Sequence, residues 1–263
     1  MTFETLRLFV DDRGVARLTL ARPEKHNALS GTMIDELTDV AGQLGVDRFV
    51  RAVELTGEGA SFCAGGDLAW MKAQVEADRG TRMAEARRLA LMFKALNDLA
   101  KPVIARVHGN AFGGGIGLLA VADVVIAADT AKFGLTETRL GLIPATISPY
   151  VVARIGEGQA RPLFMSGKII GAHEAHAAGL VTRVVPMPVL DKALEAEIQP
   201  YLQVAPGAVG RSKALARSLG MRITDGIIEA TIERLADAWE TAEAREGISA
   251  FLEKREPSWR NPV

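Results

Sequence analysis

PVIARVHGNAFGGGIGLLAVADVVIAAD, residues 102–129, reads as a β-prone run (102–109), three consecutive glycines, a short apolar helix (115–122) and a second apolar strand (123–129). Two strands joined through a helix in so short a span predict a parallel pair with a crossover connection. Each glycine at the junction weakens local structure by roughly 0.5–1 kcal/mol relative to alanine. Three in a row, Gly113 to Gly115, mark a place where the main chain itself has to be uncovered.

The same alternation extends in both directions. Residues 6–10 and 15–20 flank Asp11-Asp12-Arg13-Gly14 and predict a hairpin. Ser30 can cap a helix whose apolar positions Ile34, Leu37, Ala41 and Leu44 recur every three or four residues, and FVRAVELTG (49–57) follows as a strand. A helix over Thr81 to Leu99 precedes the quoted stretch, and LVTRVVP (180–186) is the last strand expected after it. From residue 189 amphipathic helical patterns dominate, broken by Pro200, Pro206 and Gly220. The expectation is an α/β core over residues 1–187 and a helical C-terminal region over 188–263, with no low-complexity linker between them.

Composition narrows the function. Thirty-one basic against 32 acidic residues give the 263-residue chain a net charge of −1, so no global field recruits nucleic acid or an anionic membrane. The most apolar stretch, 116–128, is interrupted by Asp123 and falls well short of the ~20 residues needed to cross a bilayer. With one cysteine, Cys63, and no basic-then-apolar start, the sequence predicts a cytoplasmic protein without an intramolecular disulfide. His173 and His176 lack the HExxH spacing, and no metal is expected.

Two loops carry the chemistry. SFCAGGDL (61–68) and HGNAFGGGIG (108–117) each follow a strand and enter a helix, where free N–H groups and the helix dipole suit a developing anion. Two such donors on one oxygen make an oxyanion hole. A nucleotide-phosphate loop is the weaker reading, because Leu118 stands where GxGxxG requires glycine and GxxxxGK[ST] is absent. Further on, KFGLTETRLGLIP (132–144) sets Glu137 among apolar residues, where a carboxyl pKa rises and proton exchange near neutral pH becomes possible, although the neighbouring Arg139 also allows an ordinary ion pair. Cys63 reads as an apolar filler rather than a nucleophile, and no GxSxG elbow is present.

These phrases, together with RPEKHNAL (22–29), GLVTRVVP (179–186) and EGISAFLEKREPSW (246–259), resemble the enoyl-CoA hydratase/isomerase, or crotonase, family in order and spacing over nearly the whole chain. The resemblance implies a core of repeated ββα units with a trailing helical region, an acyl-CoA thioester substrate without a separate cofactor, and assembly as trimers or dimers of trimers. It places the two oxyanion donors on the N–H groups of Ala64 and Gly114. It also maps CoA binding onto Lys25, Ala28, Ala64, Gly66, Asp67 and Leu68, with Phe251 and Lys254 reaching a neighbouring subunit's CoA. Helix 81–99, Trp70 and Met71 are expected to shape the acyl pocket.

Family hydratases usually carry two glutamates, at the positions of Gly117 and Glu137; this chain keeps the second alone. The resemblance is nearest to a hydratase branch acting on branched or carboxylated enoyl-CoAs of the methylglutaconyl and isohexenylglutaconyl type, in which that first position is often glycine. Hydration is therefore the expected reaction. A Δ3,Δ2-enoyl-CoA isomerase with one glutamate base, and an inactive acyl-CoA- or RNA-binding relative, are the alternatives.

Overall fold

The computed structural model describes residues 3–260. The chain opens with an antiparallel hairpin, β1 (Leu6–Val10) and β2 (Val15–Leu20), in register from Leu6 opposite Leu20 to Val10 opposite Ala16. Its turn closes as predicted: Asp11 Oδ1 accepts from the N–H of Arg13 and of Val15. Helix α1 (Gly31–Val46) starts where Ser30 Oγ accepts from Met33 N–H. It buries Met33, Ile34, Leu37, Val40, Ala41 and Leu44 in the main core, about 1.5–3 kcal/mol for each large side chain.

Three consecutive units then repeat one plan. In the first, β3 (Ala52–Gly57) is followed by the short β4 (Ser61–Cys63) and by helices α2 (Leu68–Glu76) and α3 (Arg79–Asp98). In the second, β5 (Val103–Val107) and β6 (Asn110–Phe112) lead into α4 (Gly114–Val121). In the third, β7 (Val124–Ala128) and β8 (Lys132–Gly134) lead through a 3-10 turn, Glu137–Leu140, into α5 (Ser148–Ser166). After these come β9 (Ile169–Gly171), α6 (Ala172–Ala177), β10 (Arg183–Val185) and the C-terminal helices α7 (Leu190–Leu202), α8 (Pro206–Leu219), α9 (Asp225–Glu240) and α10 (Ala242–Glu253).

The long strands form one six-stranded sheet in the order β1-β2-β3-β5-β7-β10, parallel from β2 onward. The short strands form a second sheet, β4-β6-β8-β9, with β4, β6 and β8 parallel and β9 antiparallel to β8. This second sheet is not foreseen in the sequence, because three-residue strands are too short to show alternation. The sequence reading, which expects only the strand at 180–186 after residue 129, misses β9 for the same reason.

The second sheet positions the chemistry. Neighbouring parallel strands lie about 4.8 Å apart, so the loops leaving their C-terminal ends stand side by side. The loop after β4 is Ala64–Asp67, the loop after β6 is Gly113, and the loop after β8 delivers Glu137.

The C-terminal helices pack at two places. Leu190, Leu194 and Ile198 of α7 cover one face of the large sheet against Val15, Ile104 and Ile126. Helices α9 and α10 instead form a separate apolar cluster, with Leu235 and Trp239 against Met71, Ala86, Ala90 and Leu142. Among the described residues no helix is long and apolar enough to cross a membrane.

Candidate active site

The three side-by-side loops meet at one cavity of about 880 Å³ whose wall includes Ala64, Gly65, Gly66, Gly113, Gly114 and Glu137. Their backbones are nearly in contact. A Cβ built on Gly65 would stand 3.6 Å from Gly113 Cα, and one on Gly114 would stand 3.9 Å from Gly65 Cα.

The donors differ from the expected pair. Ala64 N–H donates to the carbonyl of His26 at 2.9 Å and has no capacity left for a ligand, which corrects its expected role as an oxyanion donor. Two residues on, Leu29 N–H donates to Gly65 O and Asp67 N–H to Leu29 O, a bridge that leaves the intervening Gly66 N–H without an acceptor among the described residues. Gly114 is the first residue of α4, where N–H groups have no intrahelical partner, and it too has no acceptor among the described residues. Nothing in the sequence distinguishes Ala64 from Gly66, because the distinction rests on a contact with the distant segment 22–29.

That segment is pinned by Asn27, which the sequence reading passed over. Fully buried in a left-handed conformation at φ 54°, Asn27 accepts from Arg22 N–H and donates to the carbonyls of Glu58 and Ser61. Lys25 and Ala28 from the same segment line the cavity, as do Gly66, Asp67 and Leu68. The Asp67 carboxylate is already engaged. It caps α2 by accepting from Ala69 and Trp70 N–H and pairs with Arg22 at 2.9 Å, so its part is to hold the loop. Those bonds keep its pKa below the ordinary aspartate value despite burial.

Glu137 stands alone. Its Oε2 is buried without a hydrogen-bond partner, and no cation pairs with it among the described residues, Arg139 included. Burial raises its pKa from 4.5 to about 7, against a smaller opposing effect of its own backbone N–H. The carboxylate therefore exchanges protons at neutral pH.

Gly117, the position of the family's first glutamate, does not face the cavity. It lies buried in α4, where a Cβ would stand 2.5 Å from Ile147 Cγ2 and 2.7 Å from Phe93 Cζ. The space a second acid would need is filled by apolar side chains.

Of the two C-terminal residues, Phe251 lines the cavity of its own chain, whereas Lys254 is the exposed left-handed C-cap of α10 outside that wall. Helix α10 also presses on the turn that carries Glu137. A Cβ on Gly247 would meet the Leu140 carbonyl carbon at 2.5 Å, and one on Gly141 would meet that of Glu243 at 2.4 Å.

Cys63 is buried beside the first loop with its thiol pKa pushed up to about 12 by desolvation, which keeps the thiolate from forming near neutral pH. His176 bonds to the Val181 carbonyl, and no group of three metal-ligating side chains is present among the described residues. The apolar wall expected from Trp70, Met71 and helix α3 is present, with Leu89 as the contribution of α3. It is completed by Leu235 and Trp239 of α9, whose place there has no local signal along the chain.

Repeated ββα units that bring a bare main-chain cradle to a carboxylate with a buried, unpartnered oxygen define the class: a crotonase fold. The family model for enoyl-CoA hydratase/isomerase matches residues 11–262, and the chain belongs to that family. A putative enoyl-CoA hydratase of Thermus thermophilus is 37% identical over 94% of this chain and 98% of its own. A probable enoyl-CoA hydratase of Mycobacterium bovis is 36% identical over 98% of this chain and 99% of its own. Among solved structures, an enoyl-CoA hydratase from Mycobacterium smegmatis superposes with a TM-score of 0.79 at 36% identity, covering 98% of this chain and 99% of that one. Another, from Mycobacterium avium subsp. paratuberculosis, reaches 0.86 at 25% identity over 97% and 98%. Family membership carries an acyl-CoA thioester substrate and a lyase or isomerase activity.

Proposed function

We propose that the protein is an enoyl-CoA hydratase that adds water across the α,β double bond of an acyl-CoA thioester, with Glu137 as its only acid–base residue. The observation that carries this reading is the position of Glu137 Oε1, 3.0 Å from where a Cβ on Gly113 would stand, at the junction of the two glycine loops. The thioester oxygen lies between the N–H groups of Gly66 and Gly114. Glu137 in its ionised form takes a proton from water as the water oxygen bonds to Cβ. The π electrons move toward the thioester oxygen, where the two N–H groups hold the enolate charge. The protonated Glu137 then returns its proton to Cα, so that H and OH are both delivered and the carboxylate is restored. A pKa near 7 suits both halves of this exchange.

Branched or carboxylated acyl groups belong to this reading; Arg139, which lies on the cavity wall and pairs with no carboxylate among the described residues, supports the carboxylated ones. Assembly as a homotrimer or a dimer of trimers belongs to the same reading. Its support is α8, which buries none of its residues and leaves Leu215 and Leu219 exposed at 62% and 80%.

A lone carboxylate is also what a Δ3,Δ2 double-bond shift needs, and one experiment separates the two. Crotonyl-CoA loses its conjugated-thioester absorbance under a hydratase, whereas a Δ3-enoyl-CoA gains it under an isomerase. Hydration by the wild type, reduced roughly 10²–10⁴-fold in Glu137→Gln with CoA-ester binding retained, is the expected result. Near-normal turnover in that variant rejects the assignment.

A further inference from the structure

Trp70 occupies a place in the cavity that the proposed reaction does not explain. It follows the capped start of α2, and its Cε3 lies 3.9 Å from where a Cβ on Gly66 would stand, so the indole borders the proposed oxyanion donor. The half-buried ring packs against the apolar cluster of Met71, Leu142, Leu235 and Trp239. In the acyl-CoA reading of the cavity, this apolar wall beside the Gly66 donor is the surface an acyl chain meets as it leaves the thioester carbon.

The ring is not free to turn. Trp70 Nε1–H donates to Glu85 Oε2 at 2.9 Å. The other oxygen of Glu85 accepts from Arg88, one turn along α3. Arg88 in turn pairs with Asp35 and donates to the Gly31 carbonyl at the start of α1. A three-helix relay thus fixes one indole rotamer from behind. Holding a cavity-lining ring through a partly buried carboxylate has a use if the ring's position sets what the cavity accepts.

We propose that Trp70 is the specificity-determining wall that limits the length of acyl chain admitted beside the thioester, and that Glu85 is the residue that positions it. This inference rests on the reading of the cavity as an acyl-CoA site. Removing the indole enlarges the cavity on the side of the Met71, Leu235 and Trp239 cluster against which the ring packs. Losing the Glu85 acceptor lets the indole leave its place.

The test is kcat/KM for trans-2-enoyl-CoAs of four and ten carbons, with circular dichroism and melting curves on every variant. Trp70→Ala is expected to raise the ten-to-four-carbon ratio at least tenfold. Glu85→Leu should move it in the same direction, while Glu85→Gln, which keeps an acceptor for the indole N–H, should leave it within twofold of wild type. Equal loss on both substrates in Trp70→Ala overturns the specificity role. An unchanged ratio in Glu85→Leu overturns the positioning role, as does a Glu85→Gln ratio that matches Glu85→Leu. Calorimetric titration with butyryl-CoA and decanoyl-CoA reads the same ratio as binding. A shift there without turnover of any enoyl-CoA sinks the hydratase reading and leaves the role of Trp70 standing.

Discussion

Gly113 and Glu137 are matched by contact: a Cβ on Gly113 would press on Glu137 Oε1 at 3.0 Å, and Gly113 itself sits at φ 47°. The glycine is therefore required twice, by a backbone conformation that L side chains rarely adopt and by the carboxylate seated against it. The turn that begins α4 and the acid that follows β8 share one small volume, and that volume is where the proposed chemistry takes place.

Activity should follow the ionisation of Glu137. With its pKa near 7, kcat/KM for hydration is expected to rise through about pH 7 as the free enzyme's carboxylate forms. A profile that stays flat from pH 5.5 to 8.5 would show that another group performs the proton transfer.

Stability should respond in the opposite sense. In the unfolded chain Glu137 ionises near 4.5 and in the native protein near 7, so between those values the native state holds a proton that the unfolded state has released. Raising the pH through this window removes stability, with a ceiling of about 3 kcal/mol. Glu137→Gln should therefore melt several degrees above wild type at pH 8, with no advantage at pH 4.5. Differential scanning calorimetry at the two pH values checks this.

Deleting one amide should slow catalysis without unfolding the protein. Proline is well tolerated at the first position of a helix, which is where Gly114 lies, and the one close contact of its added Cβ is with the end of the buried Leu29 side chain, 2.6 Å away, which has to shift to admit it. Gly114→Pro is expected to lower kcat by about 10²–10³-fold, as loss of one oxyanion donor does. Steady-state kinetics beside a melting curve separates this from collapse of the fold.

Restoring the family's first glutamate should fail. Gly117→Glu forces a carboxylate between Phe93 and Ile147, where overpacking alone costs about 1–3 kcal/mol and burial of an unpaired charge adds to it. The variant should melt well below wild type and show no gain in kcat. A stable variant with faster hydration would mean that this space is open.

Asp67 should behave as a brace. Asp67→Ala removes the cap of α2 and the partner of Arg22, and the cap alone contributes about 1 kcal/mol. Asp67→Asn keeps the cap and loses the ion pair. The expected order of melting temperature is wild type, then Asn, then Ala, with KM for the thioester rising in the same order as the Gly66 loop loosens.

The alternating α/β core, the hairpin, the cap at Ser30, the two glycine loops and the candidate acid at Glu137 are legible along the chain. Each of these is local, fixed by a side-chain period or by a residue type that the backbone demands. Only in the folded chain does Ala64 give its N–H to His26 while Gly66 keeps its own, do Phe93 and Ile147 wall off Gly117, and does Trp239 close the cavity from the far end of the chain. Those outcomes depend on which distant segments meet across a sheet of three-residue strands. Hydrogen-bond partners and filled space are properties of such meetings and leave no periodic trace along the chain.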